Sequence, residues 1–291
     1  MPSANPAPEN IPFPPPRESA GRVDPGTAAD SSPELLRPLF VAARAPDPTL
    51  ARHIKDLKRR LILEANLAVG MIESASDALM RMDPGAAEAV MRRDDEIDSE
   101  EVLIEEECFR LLTLFQPFAK DFRTVTTLLR VNADLERVGD HAHSIAKLTR
   151  KLHKLGGPGG VGTGVAAGGG SGGTPGIPTS LQELAQRVPM LCHALLNALV
   201  SEDVQNARSI LEKDEAIDSL DKRLFDECLQ AMSDETDSKA RGLLLYRCGR
   251  ELERVGDLMT NIAEDVLYLA TGTIVRHQKK RLRLQARSEK V

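Results

Sequence analysis

The sequence predicts an all-α protein, a tandem pair of three-helix bundles with six long antiparallel helices. The first observation behind this is an internal repeat, because Leu-Glu-Arg-Val-Gly-Asp occurs at 135–140 and again at 252–257. The second is a matched acidic block upstream of each copy, Asp-Asp-Glu-Ile-Asp-Ser at 94–99 and Asp-Glu-Ala-Ile-Asp-Ser at 214–219. The third is that apolar residues recur at three- and four-residue spacings, without a period-two strand pattern. Short connections make neighbouring helices antiparallel.

Residues 1–48 are rich in Pro, Ala, Ser and Asp, which predicts a disordered arm. The first bundle is expected over 49–155, with helices at about 50–82, 84–115 and 119–155. Asp83 and Pro84 are suited to the N-cap and first position of the second helix. The Gln116-Pro117 step should end that helix, because proline lacks the backbone N–H that helices need.

The glycine-rich stretch at 156–179 predicts a flexible linker. The second bundle is expected over 180–272, with helices at about 181–199, 203–232 and 235–269. Residues 273–291 form a basic tail, with seven Lys or Arg and one Glu between Arg276 and Val291. The net charge of −6 therefore leaves about −12 on the other 275 residues. That body should repel nucleic acid and anionic membranes, whereas the tail can attract either.

Several classes of protein are disfavoured by composition. Aromatic residues make up only 3% and Trp is absent, so an aromatic platform for single-stranded nucleic acid is not expected. No apolar run reaches the roughly 18 residues of a membrane helix. The N-terminus lacks a basic region followed by an apolar one, so it does not resemble a secretory signal. The four cysteines show no metal-binding spacing and are expected to be buried thiols. A cytoplasmic location is predicted, without nucleic-acid binding or membrane insertion.

Acidic residues recur at the same places along the apolar stripes of both repeats. The second helix of each half has an Asp-x-x-x-Asp pair, and the third helix has a Glu-x-x-x-Asp pair. These pairs are Asp94 with Asp98, Asp214 with Asp218, Glu136 with Asp140, and Glu253 with Asp257. Residues four apart share one helix face. Gly139 and Gly256 beside the last pairs are poor helix formers, which suggests close approach of another backbone or a bound ion.

Clustered carboxylates need a countercharge, and two sources are open. Salt bridges are one, since Arg93, Arg130, Arg137, Arg247 and Arg254 are nearby in sequence. A hard cation such as Mg²⁺, Mn²⁺, Ca²⁺ or iron is the other, because it prefers oxygen ligands. Glu-x-x-His, the motif of di-iron oxidases, is absent from the sequence. His143 lies one turn beyond Asp140 and is a weaker ligand candidate.

The repeated Glu-Arg-Val-Gly-Asp blocks, the acidic blocks and Gln-Pro-Phe-Ala-Lys-Asp-Phe-Arg at 116–123 resemble the PhoU family. The resemblance covers about 50–155 and 180–272. It implies a cytoplasmic, usually dimeric accessory protein that restrains phosphate-starvation signalling. The implied partners are the ATPase of a phosphate importer and a sensor histidine kinase, and the implied cofactor is iron, manganese, zinc or magnesium. The implied metal ligands, on the outer face of each bundle, are Asp94, Asp98, Glu136, Asp140, Asp214, Asp218, Glu253 and Asp257.

We therefore expect a non-enzymatic, metal-binding negative regulator of phosphate uptake. One alternative is a carboxylate-metal phosphohydrolase, although no duplicated nucleophile or Gly-rich phosphate loop accompanies the acids. Another is a purely structural helical scaffold whose acids form salt bridges. The second repeat departs from the family pattern, having Met-Ser-Asp-Glu-Thr-Asp at 232–237 where the first has the Gln-Pro segment. The basic tail is expected to be a solvated end, or else to contact phospholipid or an acidic partner.

Overall fold

Residues 47–156, 176–201, 203–232 and 236–273 are described by the structure, a computed structural model. Most of the predicted arm, linker and basic tail lies outside these ranges, and the two ends of the predicted linker, Gly156 and Thr179, belong to helices. The described residues form seven α-helices and no strand, so the predicted all-α fold is confirmed. The helices are α1 (Pro48–Arg81), α2 (Pro84–Met91), α3 (Asp94–Phe115), α4 (Lys120–Gly156), α5 (Thr179–Ser201), α6 (Val204–Ala231) and α7 (Thr236–Thr271).

Aspartate N-caps define three of the helix starts. Asp47 accepts hydrogen bonds from two backbone N–H groups at the start of α1, and Pro48 follows it. Asp83 and Asp203 do the same for α2 and α6, each at 2.8 Å to its nearer donor. A carboxylate at this position satisfies N–H groups that have no partner inside the helix. The predicted role of Asp83 is therefore confirmed, and Asp203 is its counterpart in the second repeat.

The second helix of the first repeat is not continuous, contrary to the prediction of one helix from 84 to about 115. It ends at Met91, turns through Arg92 and Arg93, and restarts as α3 at Asp94. The first turn of α3 contains Asp94, Asp95 and Glu96, and negative charge is favourable at a helix N-terminus. The matching segment of the second repeat stays within the single helix α6. The described residues thus correspond to the six predicted helices, one of them divided.

The two repeats pack directly on each other, with α4 against α7 and α1 against α5. Polar pairs cross this contact. Arg130 donates two hydrogen bonds to the carboxylate of Asp265, at 3.0 and 3.3 Å, and Asp265 is buried. His141 Nδ1 lies 2.7 Å from Glu251 Oε2. The two halves are therefore joined by packing and ion pairs as well as by the linker.

The repeated glycines have a packing role that differs from the expected one. A Cβ atom on Gly139 would lie 2.9 Å from Ile97 Cδ1, and one on Gly256 would lie 3.1 Å from Ile217 Cδ1. The group that approaches each glycine is therefore an isoleucine side chain of the neighbouring helix, instead of a backbone or an ion. This close contact brings α3 against α4, and α6 against α7, at the level of the acidic residues.

All four cysteines are unpaired and buried, as expected. Burial raises the pKa of the Cys108 and Cys192 thiols to about 12, so these groups are protonated at neutral pH. None of the helices in the described ranges combines the length and the apolar character that crossing a membrane requires.

Candidate metal centres

Three aspartates converge in the second repeat. Asp214 and Asp218 lie one turn apart on α6, and Asp257 faces them from α7. One carboxylate oxygen of each lies within 4.8 Å of the others. Thr260, one turn beyond Asp257, donates a hydrogen bond to Asp214 at 3.2 Å. This spacing allows one cation to contact three oxygen ligands, which is the donor chemistry that Mg²⁺, Mn²⁺ and iron accept.

Glu253, the fourth predicted ligand of this repeat, is held by an arginine. Arg250 Nη1 lies 3.1 Å from Glu253 Oε1 and also 3.1 Å from Asp221 Oδ2. Each of the two acids keeps a second, buried oxygen without a hydrogen-bond partner. Arg250 was not among the arginines singled out from the sequence. The guanidinium of Arg250 therefore offsets the negative charge of Glu253, although Glu253 and the three aspartates lie on the same two helices.

The matching acids of the first repeat are neighbours but do not form an equally tight group. Asp94 Oδ2 lies 2.7 Å from His143 Nδ1, and Asp94 Oδ1 is buried without a partner. His143 occupies the position that Thr260 has in the second repeat. Among the described residues, the Asp214–Asp218–Asp257 group is the one in which three such ligand atoms converge. The prediction of a metal site in the first repeat stays a prediction.

Within each repeat the acids repel one another, and this repulsion contributes to raised pKa values. In the second repeat, burial and then the charges of Asp214 and Asp218 raise the pKa of Asp257. Burial and then the charge of Asp257 raise the pKa of Glu253, against the opposing charge of Arg250. An arrangement of this kind is unfavourable while empty, and a bound cation would reverse the repulsion.

The acids of the first repeat show the same crowding. Burial and then Asp140, Glu101 and Asp98 raise the pKa of Glu136 to about 7. Burial and then Asp94 and Asp140 raise the pKa of Asp98. These shared effects place the four predicted ligands of the first repeat in one electrostatic cluster.

The acids lie at the edge of the apolar stripe, not within it. Ile97, Ile104 and Cys108 on α3 are fully buried, whereas Asp94 is half-buried and Asp98 is exposed. On the third helices Glu136 and Glu253 are half-buried, and Asp140 and Asp257 are exposed. The apolar stripe of the helix is therefore buried, whereas the predicted ligands beside it are partly or fully exposed. They lie along the line where two helices pack together, which we call the groove, and their exposed atoms are open to solvent ions.

Most of the arginines proposed as salt-bridge partners pair with other acids. Arg130 binds Asp265, Arg137 binds Asp134 at 3.1 Å, and Arg254 lies 3.9 Å from Glu251. The arginine that does contact a predicted ligand is Arg250. Its place on α7, three residues before Glu253, is a sequence signal that could have identified it.

Sequence reasoning did not single out Glu64, an acid that is buried without a partner. Glu64 on α1 is only 1% exposed, and both of its carboxylate oxygens lack a hydrogen-bond partner. Burial, followed by the charges of Glu101, Glu100 and Glu136, raises the pKa of Glu64 to about 9. The signal was available, because Glu64 directly follows the three apolar residues Leu-Ile-Leu at 61–63.

Comparison with known proteins identifies similar sequences and structures. A family model described as the PhoU domain matches residues 61–149 and 181–266. The chain is 31% identical over 227 residues to a Clostridium acetobutylicum protein named phosphate-specific transport system accessory protein PhoU homolog. That match covers 75% of this chain and 93% of the relative. A Pseudomonas aeruginosa protein of the same name is 30% identical over 224 residues, covering 77% and 86%.

Two solved structures are similar over most of the chain. The crystal structure of PhoU from Pseudomonas aeruginosa has a TM-score of 0.67 at 28% sequence identity, covering 77% of this chain and 99% of the other. That of the phosphate transport system regulatory protein PhoU from Streptococcus pneumoniae has a TM-score of 0.64 at 27% identity, covering 78% and 99%. Each of these structures is matched over nearly its full length.

Proposed function

The chain belongs to the PhoU family, and on that premise we propose that it is a metal-binding accessory regulator of a phosphate transport system. The proposal includes negative control of phosphate-starvation signalling, through contacts with the transporter ATPase and a sensor histidine kinase. It also includes assembly as a homodimer in the cytoplasm. The names of the relatives support the link to phosphate transport.

The observation that carries the metal-binding part is the Asp214–Asp218–Asp257 group. Three oxygen ligands within 4.8 Å of one another come from two helices whose packing is maintained by Gly256 against Ile217. A rigid pair of helices positions ligands more accurately than a loop does. Three protein ligands leave further positions of a six-coordinate cation for water, a phosphate oxygen or a partner's carboxylate. The matching acids Asp94, Asp98, Glu136 and Asp140 are proposed as the corresponding site of the first repeat.

When bound, the cation would supply a positive charge and open coordination positions at an otherwise acidic surface. Neighbouring residues of the chain orient the carboxylates that would hold this cation. Thr260 bonds to one oxygen of Asp214, which restricts the rotation of the carboxylate. In the first repeat His143 Nδ1 lies 2.7 Å from Asp94 Oδ2, which is an ion pair when the imidazole is protonated. A partner with acidic or phosphate groups would be repelled by the empty groove and attracted by the loaded one.

We propose a binding function in preference to catalysis. Hydrolysis of a phosphate ester would need a nucleophile or base distinct from the metal ligands. Non-acidic side chains beside the two clusters include His143, 2.7 Å from Asp94, Thr260, hydrogen-bonded to Asp214, and Arg250, paired with Glu253. A phosphatase assay with Mn²⁺ or Mg²⁺ tests this point. Turnover that is lost in Asp257→Asn would replace the regulator by a phosphohydrolase.

Metal analysis of protein purified without chelator tests the metal-binding part. We expect bound metal in the wild type, reduced in Asp218→Asn/Asp257→Asn and in Asp98→Asn/Asp140→Asn. Asp226→Asn is the matched control, because Asp226 is an exposed aspartate on α6 outside the groove. Wild-type protein without bound metal, before and after incubation with Mn²⁺ or Fe²⁺, would instead favour a structural scaffold.

Pull-down of the native protein from phosphate-replete cells tests the partners. We expect the transporter ATPase and a sensor kinase to be recovered with wild type and with Asp226→Asn. Recovery should fall in the two double variants if the loaded groove is the docking surface. Recovery of neither partner with the metal-loaded wild type would contradict the proposed contacts. Sedimentation of the same samples tests the homodimer.

A further inference from the structure

The last described residues of the chain lie at the start of α4, in the first repeat. Gly272 follows α7 in the left-handed region, with φ 72°, and its N–H donates a hydrogen bond to the backbone oxygen of Tyr268 at 2.8 Å. A glycine in this conformation turns the chain away from the helix axis. A Cβ on Gly272 would lie 3.6 Å from the guanidinium carbon of Arg123. The basic tail therefore continues from Thr273 close to the first turns of α4.

The groove of the first repeat, between α3 and α4, combines acidic and apolar side chains. On each helix the residues that line it recur at steps of three, four or seven and therefore share one helix face. These residues are Asp98, Glu101, Glu105 and Phe109 on α3, and Phe122, Leu129, Glu136 and Asp140 on α4. Along α4 the apolar residues come first and the acids follow.

The apolar residues of both helices lie at the same end of this groove. Gly139 packs against Ile97, and Asn132 Nδ2 donates a hydrogen bond to the backbone oxygen of Glu101 at 3.0 Å, so α3 and α4 run antiparallel. The C-terminal part of α3 therefore lies beside the start of α4. Phe109 is 51% exposed there, and Phe122 is 50% exposed. Large exposed apolar side chains on neighbouring helices indicate a surface that another segment covers.

The basic tail matches this groove in the order and reach of its residues. After Thr273 it begins with Ile274 and Val275, and four of its bases stand between positions 279 and 283. An extended chain spans about 3.3 Å per residue, so these bases reach about 20 to 33 Å from Thr273. Positions 136 and 140 of α4 lie about 20 to 26 Å beyond Arg123, at 1.5 Å per helical residue. The tail can therefore place apolar residues at the apolar end and bases at the acids.

The charge of the first groove is also less compensated than that of the second. In the second repeat Arg250 lies 3.1 Å from both Asp221 and Glu253. Matching the repeated blocks aligns Arg250 with Ala133, so the first groove lacks this arginine. Matching the acidic blocks aligns Phe225 with Glu105, so the first groove has a further acid. The tail, with seven Lys or Arg and one Glu from position 276 onward, carries the opposite charge.

We propose that the basic tail folds back over the groove of the first repeat of its own chain. Its apolar start lies at Phe122, and its bases lie at Glu105 and Glu136. A cation in this groove repels the basic tail, so the two compete, and metal binding uncovers the apolar end for a partner. The competition rests on the proposed function, whereas the docking of the tail does not.

Carbodiimide crosslinking of the metal-free full chain tests the docking, because this reagent joins lysine amines to carboxylates that they contact. We expect mass spectrometry to find Lys279 or Lys280 joined to Glu105 or Glu136, with a yield that falls at high salt. Glu105 is the more informative acceptor, since the matching residue of the second repeat is Phe225. A mixture of ¹⁵N-labelled and unlabelled protein shows whether each crosslink lies within one chain.

Three results would overturn the docking. The first is the absence of any crosslink from the tail to the first groove, including the case in which the tail is joined to Asp218 or Asp257 instead. The second is a crosslink formed only between labelled and unlabelled chains, which would assign the tail to a second copy. The third is binding of the wild type, but not of Lys279→Gln/Lys280→Gln, to vesicles of anionic phospholipid when these crosslinks are missing.

Titration with Mn²⁺, followed by the loss of the free-ion electron paramagnetic resonance signal, tests the competition. One exposed ion pair shifts an equilibrium by about 1.4- to fivefold, so Lys279→Gln/Lys280→Gln should raise the affinity for Mn²⁺ by about 2- to 25-fold. Lys151→Gln/Lys154→Gln removes two exposed lysines of α4 and is the matched control, with unchanged affinity. An equal affinity in the tail variant and the wild type would refute the competition. Crosslinks in a chain that binds no Mn²⁺ would support the docking and contradict the proposed function.

Discussion

Replacement of Glu64 by glutamine should change how the stability of the metal-free protein depends on pH. The pKa of Glu64 is about 9 in the folded protein, against an ordinary value of 4.5. Between these values the folded state keeps the proton that the unfolded state releases. The folded state therefore binds more protons, so the stability of the wild type falls as pH rises from 4.5 to 9. Glu64→Gln lacks this term, because glutamine does not titrate.

The size of the effect follows from the shift. Each pH unit inside the window contributes about 1.4 kcal/mol, so the interval from pH 5 to pH 7.5 contributes about 3 kcal/mol. We expect the unfolding free energy of Glu64→Gln, relative to the wild type, to rise by that amount over this interval. Part of the shift comes from Glu100, Glu101 and Glu136, and Arg60 opposes it, so neutralising one of the three acids should reduce the rise.

Urea unfolding in EDTA, followed by far-ultraviolet circular dichroism because the chain lacks Trp, measures the difference at each pH. Glu106→Gln is the control, since Glu106 is exposed, and it should parallel the wild type. If Glu64→Gln also parallels the wild type from pH 5 to pH 7.5, the carboxyl group is ionised in the folded protein and the reasoning fails.

Three further predictions concern the contact between the repeats and the packing behind the groove. The hydrogen bond with His141 lowers the pKa of Glu251, so this acid stabilises the fold above pH 4.5 and loses that contribution as pH falls through its folded pKa. Glu251→Gln should therefore show a smaller loss of Tm below pH 4.5 than the wild type. An equal loss would contradict the assignment. Arg130→Met removes the two hydrogen bonds that Arg130 donates to the buried Asp265, and it should lower the free energy of unfolding in urea by about 2 kcal/mol. The double variant Arg130→Met/Asp265→Asn should recover part of this loss. Additive losses would count against the pair. Gly139→Ala places a Cβ 2.9 Å from Ile97 Cδ1 and should destabilise the protein by about 1 kcal/mol, despite the better helix propensity of Ala. Adding Ile97→Val should relieve that loss. A stabilised Gly139→Ala would show that the helices separate freely.

Much of the fold could be predicted because its signals are local. Helix starts at Asp83 and Asp203 depend on a side chain bonding to backbone groups two and three residues away. Helix faces follow from a fixed rotation per residue, which placed the acid pairs correctly on facing helices. The division of the second helix at Arg92 and Arg93 was not predicted, since no proline or glycine marks it.

The candidate site could be predicted only as a set of acids. The sequence placed Asp214, Asp218 and Asp257 on two helices, and the structure brings their oxygens together. Glu253 was given the same role, yet it is bound by Arg250. The burial of Glu64 without a hydrogen-bond partner emerged only from the structure.

The sequence by itself determined the duplication, the helical class, the caps and the acidic residues that each repeat retains. Those features depend on composition, periodicity and contacts within a few residues along the chain. The tertiary structure alone decided which acids converge, which are neutralised and which is buried without a partner. Distances between atoms on different helices depend on how the helices cross and on their relative positions along the axes. The packing of the whole core sets those quantities, with Ile97 against Gly139 and Ile217 against Gly256 holding the helices of the groove together.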